Sequence, residues 1–143
     1  MNEKKTTYLN SLLNGTRNKA GLEAFLKENT GELSISDYMN QMLADKDMSA
    51  AEVIRRSNLS KDYANQLLNG TRSKPGRDKI IALCIGLGLN LSETQKALKI
   101  ARCGELYSKD TRDAIIMYYI NIEKWDIMEI NNSLHDHNLK TIE

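Results

Sequence analysis

The stretch Ser49–Gly76, SAAEVIRRSNLSKDYANQLLNGTRSKPG, constrains this chain more than any other. It reads as helix, tight turn, helix and basic loop. Ser49 and Glu52 have the spacing of a capping box, in which the hydroxyl accepts one orphan helix N–H and the carboxylate reaches back to another. Ala50, Val53 and Ile54 then fall at i, i+3 and i+4 on one face. Ser57-Asn58 interrupts the pattern with two turn residues, and Leu59 supplies an apolar pin at the corner. Ser60 is placed to cap a second helix, which turns Ala64, Leu67 and Leu68 inward and stops at Asn69-Gly70. Two short helices joined by a turn of three or four residues form the helix-turn-helix signature. The basic cluster Arg72, Lys74, Arg77 and Lys79 follows at once.

The rest of the chain is helical in pattern too. No run alternates apolar and polar residues for long, and Pro75 is the single proline, so the expected class is all-α. With 143 residues the chain holds one domain, or one small domain with extensions. Its net charge is only +1, yet the distribution is uneven. Seven Lys/Arg fall between Arg55 and Lys79 against two acids, whereas Tyr107 to the end carries four basic residues and seven acids. A basic face is therefore hidden by the average.

The motif DYANQLLNGTRSKPGRDKIIALCIGLGL, with SDYMNQMLADKD before it and LSETQKALKIA after it, resembles the Xre/Cro/lambda-repressor helix-turn-helix family of bacterial DNA-binding proteins. The resemblance runs from about Ser36 to Ala101, less than half of the chain. A narrower likeness, to a group of Firmicutes-type regulators, rests on LSETQKALKIA and ELYSKDTRDAIIMYYI. The family implies a lambda-repressor-like five-helix domain. Here it would span 36–106, between an N-terminal helical extension (1–35) and a C-terminal one (107–143).

In a helix-turn-helix the N-terminal part of the second helix enters the major groove. This assigns base reading to Ser60, Lys61, Asp62, Asn65 and Gln66, with Tyr63, Ala64, Leu67 and Leu68 turned wholly or partly to the core. Asn and Gln pair bidentately with adenine, Lys reaches guanine acceptors, and Asp accepts from cytosine. Thr71, Arg72 and Lys74 are placed for phosphates, as are the backbone N–H groups at Ser49. The resemblance implies a cytoplasmic transcriptional regulator that binds double-stranded DNA as a homodimer. It departs from the family pattern at Ala50-Ala51, where many relatives carry a Gln that clamps the DNA backbone. That departure supports the alternative of a protein-interaction adaptor on the same scaffold.

Enzyme chemistry has little support. His135 and His137 are two apart, which puts them on different helical faces, and no Cys or carboxylate cluster completes a metal site. Gly86-Leu87-Gly88 follows a helix, not a strand, so it fails as a dinucleotide fingerprint. Neither an enzyme activity nor a cofactor is expected. Cys84 lies in an apolar helical pattern as a core residue, and the two cysteines make no disulfide framework. The start, MNEKKTTYLN, has no signal-peptide h-region, and no apolar run approaches the ~20 residues a membrane helix needs.

Two internal echoes remain. YLNSLLNGTRNKAG (Tyr8–Gly21) nearly repeats YANQLLNGTRSKPG (Tyr63–Gly76). It reads either as a second DNA-contacting element or, more plainly, as a similar amphipathic helix ending in Asn-Gly. Arg112-Asp113-Ala114-Ile115-Ile116 repeats Arg77-Asp78-Lys79-Ile80-Ile81 and, with one inserted residue, Ile127–Leu134 falls on Leu91–Leu98. The C-terminal part is thus expected to be a second helix pair. Its first helix, Asp110 to Glu123, is apolar over much of its surface, so part should pack on the core and part form a dimer contact. Trp125 is either an anchor for that contact or a plug between the last two helices. Ser34 or Ser36 caps the helix before the central motif, and Ser92 with Gln95 has capping-box spacing.

Overall fold

A computed structural model describes residues 33–143 together with Leu22. The N-terminal helical extension expected at 1–35, with the near-repeat Tyr8–Gly21 in it, lies outside these residues, apart from Leu22 and 33–35. The chain divides into two compact units, 1–33 and 34–143. The second contains seven helices among the described residues: α1 Ile35–Asp45, α2 Ala50–Ser57, α3 Lys61–Leu68, α4 Arg77–Gly86, α5 Leu91–Ile100, α6 Thr111–Asn121 and α7 Ile127–Asp136. The chain is all-α over this span, as the periodicity required.

α4 is the hub. Every residue from Ile80 to Gly86 is buried, which suits a helix apolar all round. α2 lies so close to it that a Cβ on Gly86 would come within 2.9 Å of the Val53 carbonyl oxygen. Ser34 caps α1, its Oγ accepting from the Asp37 N–H at 3.0 Å, while Ser36 is used elsewhere. At α5 the expected cap is displaced by two residues. Asn90 and Glu93 form the full capping box, and Ser92 is exposed. Gln95 instead spans the backbone of Leu106, donating to its carbonyl at 2.8 Å and accepting from its N–H at 2.7 Å. A capping residue and a backbone clamp are both polar side chains in the first half of a helix, so spacing alone does not separate them.

The C-terminal pair α6–α7 rebuilds α4–α5 in detail. Gly88 after α4 and Glu123 after α6 are both left-handed, with φ of 66° and 58°. Asn90 caps α5 and Asp126 caps α7. Asn131 clamps the backbone of Ile142, at 3.1 and 2.7 Å, as Gln95 clamps Leu106. Arg77 donates to the carbonyls of Gly104 and Glu105, and Arg112 to those of Lys140 and Thr141. The inserted residue is Trp125, which sits between matching turns.

The two pairs face one another through reciprocal contacts. Arg77 holds Asp113 at 2.8 Å and Arg112 holds Asp78 at 2.8 Å. α4 packs on α7, and α5 on α6. This exchange of i–j for j–i contacts is the mark of an isologous, two-fold arrangement, here inside one chain. Trp125 lies across the join. Its Nε1 donates to the Leu89 carbonyl at 2.9 Å, and its ring lies over Gly88. Half-buried against the core, it ties the turn between α6 and α7 to the turn between α4 and α5.

α6 packs part of its apolar surface on the core, as expected, and leaves part exposed. Ile116 and Ile120 are buried, and Ala114, Ile115, Met117 and Tyr119 are half-buried. Tyr118 at 57 %, Ile122 at 48 % and, in α7, Met128 at 70 % stay exposed. In α4 the positions matching Tyr118 and Ile122 are Leu83 and Leu87, both buried. No described helix is long and apolar enough to cross a membrane.

Candidate nucleic-acid interface

Ser49 caps α2, its Oγ accepting from the Glu52 N–H at 3.2 Å. Only this half of the expected capping box is formed there. Val53 is buried against α4, and Arg55 and Arg56 point out from the last turn. Ser57 still belongs to the helix and is buried, its hydroxyl donating to the Ile54 carbonyl. Asn58 makes the turn in the left-handed region, at φ 57°, which Asn tolerates better than most residues. Leu59 is buried at the corner, and Ser60 caps α3 by accepting from the Tyr63 N–H at 3.2 Å. The turn is three residues long, Asn58 to Ser60.

α3 buries Ala64 and Leu67 and leaves Leu68 half-covered. Two side chains of α1 fix its far end. Ser36 Oγ and Asn40 Nδ2 both donate to the Leu68 carbonyl, at 2.6 and 2.8 Å. Sequence reasoning missed this brace; its only trace is a polar i, i+4 pair beside an apolar face. Asn69 Oδ1 accepts from the Thr71 N–H, and Gly70 turns the chain at φ 83°.

The structure places Ser49, Ser60, Lys61, Asp62, Asn65, Thr71, Arg72 and Lys74 at the surface and leaves Gln66 half-exposed. Three of the α3 candidates, Lys61, Asp62 and Asn65, carry side chains with no partner among the described residues. Arg72 and Gln66 are joined: the guanidinium donates to Gln66 Oε1 at 2.8 Å. Arg72 also stacks over the Tyr63 ring, 4.3 Å from its centroid, and Lys79 Nζ approaches the same ring at 5.3 Å. Tyr63 Oη accepts from the Gly76 N–H at 3.3 Å. Tyr63 is thus a platform that holds the basic loop against α3. The sequence shows Tyr63 only as a partly inward residue, because its contact with Arg72 and Lys79 is made by the fold and not by spacing.

Cys84 is buried in α4 and Cys103 is partly covered, its thiol facing the Pro75 carbonyl at 3.5 Å. Burial pushes both thiols up from their ordinary range, which disfavours the thiolate. His137 Nδ1 lies 2.7 Å from the Ser133 carbonyl. Among the described residues no group of three or more His, Cys, Asp or Glu side chains could hold a metal.

Residues 39–93 match the family of Cro/C1-type helix-turn-helix DNA-binding domains. No curated protein and no solved structure matches the chain. Capped helices, a three-residue turn through a left-handed Asn58 and a braced second helix agree with that match, and residues 39–93 form a Cro/C1-type helix-turn-helix DNA-binding domain.

Proposed function

We propose that this protein is a sequence-specific transcriptional regulator that lays α3 in the major groove of double-stranded DNA. The observation that carries this reading is the exposed polar row Lys61, Asp62 and Asn65 beside the loop cations Arg72 and Lys74. Ser60, Lys61, Asp62, Asn65 and Gln66 read base edges. Ser49, Thr71, Arg72 and Lys74 set register on phosphates. The regulator works in the cytoplasm.

Selection from random duplexes at low salt tests the reading, with an enriched sequence expected. Affinity for that sequence should fall steeply with salt, and Arg72→Ala should reduce the logarithmic salt slope by about one. A selection that enriches nothing would leave the adaptor reading instead. One observation favours that alternative: Ala50 and Ala51 are both exposed at the start of α2, where they offer no side-chain clamp to a phosphate.

Homodimerisation belongs to the same proposal, because two half-sites about one helical turn apart call for two α3 helices. The apolar surface Tyr118, Ile122 and Met128 is the contact we assign. Its rim carries both charges, Lys124 beside Glu129 at 3.2 Å with Glu123 exposed nearby, so two copies of the face are self-complementary in sign. Ile122→Glu is expected to leave the helical circular-dichroism signal intact and to shift the sedimenting species from dimer to monomer. A dimer that survives this substitution and Tyr118→Glu alike would place the contact elsewhere.

A further inference from the structure

We propose that Arg72 biases Gln66 toward reading with its amino group and so directs it to guanine. This rests on the DNA-reading role of α3 given above. Arginine has donors and no acceptor, so the amide atom that faces Arg72 at 2.8 Å must be the oxygen of Gln66. The guanidinium is not free to leave. It is stacked at 4.3 Å on Tyr63, and the Arg72 N–H donates to the Gln66 carbonyl at 3.1 Å. Tyr63 is in turn tied to the Gly76 N–H. Loop and helix therefore hold the Gln66 side chain by its acceptor end.

Bidentate pairing with adenine needs an acceptor and a donor on one amide, facing N6 and N7. In Gln66 the guanidinium takes one of the oxygen's two lone pairs and sets a positive charge beside the other, so the amino group is the favoured contact. Guanine presents two neighbouring acceptors, O6 and N7, to that group. Adenine presents its N6 amino donor where guanine has O6, and this meets both the amide donors and the nearby guanidinium charge. Asn65 differs. Its amide has no partner among the described residues, so it keeps the acceptor and donor that adenine reading requires. Two adjacent amides of the same chemistry are thus set to different bases by one arginine. Arg72 is the positioning residue.

The test is duplex selection with the full chain as wild type, Gln66→Ala and Arg72→Ala. Affinities for the selected duplex are then measured with the guanine in question replaced by adenine and by 7-deazaguanine. We expect one G·C pair whose preference disappears in Gln66→Ala. Wild type should favour guanine over adenine there by at least about fivefold and lose affinity on 7-deaza substitution. Arg72→Ala should weaken every duplex and also reduce that guanine-to-adenine ratio to below about threefold. A purely phosphate-binding or structural arginine would lower affinity and leave the ratio unchanged, which overturns the proposal. So does a Gln66→Ala effect on adenine, thymine or cytosine, or no change of preference in Gln66→Ala. These results leave DNA reading by α3 standing, whereas wild type that enriches no sequence removes both.

Discussion

Asp113→Ala is expected to lower the unfolding free energy by about 3 kcal/mol, read from the urea midpoint at unchanged m-value. Asp113 is only 5 % exposed and sits at the centre of the reciprocal ion pairs. It accepts from Arg77 at 3.0 and 2.8 Å and from the Tyr107 N–H at 3.0 Å. Truncation leaves a partly buried guanidinium with two carbonyls and no counter-charge, and leaves the Tyr107 N–H unpaired. Such orphaned groups cost more than the pair contributes. Arg77→Ala with Asp113→Ala should therefore cost less than the sum of the two single changes. A loss below about 1 kcal/mol for Asp113→Ala would mean that this join is not what holds α6–α7 to the domain.

The same carboxylate predicts an acid limb. Burial by itself pushes the Asp113 carboxyl up, but the Arg77 guanidinium, the Tyr107 N–H and the charge of Arg112 outweigh it and hold the carboxyl below its ordinary value. A depressed folded value means that the ionised form stabilises the fold. That contribution is complete above the unfolded carboxyl's pKa of about 4, and it is lost as pH falls through the folded value. Asp113→Asn should flatten the fall in stability below about pH 4.

Asn65→Ala is expected to weaken binding to the preferred duplex by about 1–3 kcal/mol, or roughly 5- to 150-fold, with affinity for random duplex unchanged. The exposed amide of Asn65 has both its acceptor and its donors uncommitted among the described residues. It can therefore meet N6 and N7 of adenine together, and truncation removes sequence discrimination without removing charge. Equal weakening on all duplexes would assign Asn65 to the backbone instead. Arg72 is the contrasting case, because its charge acts on every sequence.

How much was legible in advance follows from the range of each interaction. The caps Ser49 and Ser60, the Asn58 turn and the apolar spacing of α2 and α3 act over three or four residues, so the chain itself displays them. The unbroken apolar run Ile80–Ile85 of α4 announces its burial in the same way. The duplicated Arg-Asp pairs could be seen as a repeat, but not that each arginine would cross to the other copy. That exchange depends on how two helix pairs meet, across 34 and 36 residues of chain.

The helix-turn-helix is thus a property of local sequence, written in hydroxyls, turn residues and periodicity. What α3 presents is not. The engagement of the Gln66 oxygen, the stacking of Arg72 on Tyr63 and the anchoring of Leu68 by Ser36 and Asn40 all join groups that spacing leaves independent. A side chain's hydrogen-bonding capacity is set by its type, but the part of that capacity left for a partner depends on which neighbours have already engaged it. Only the packed structure brings those neighbours together.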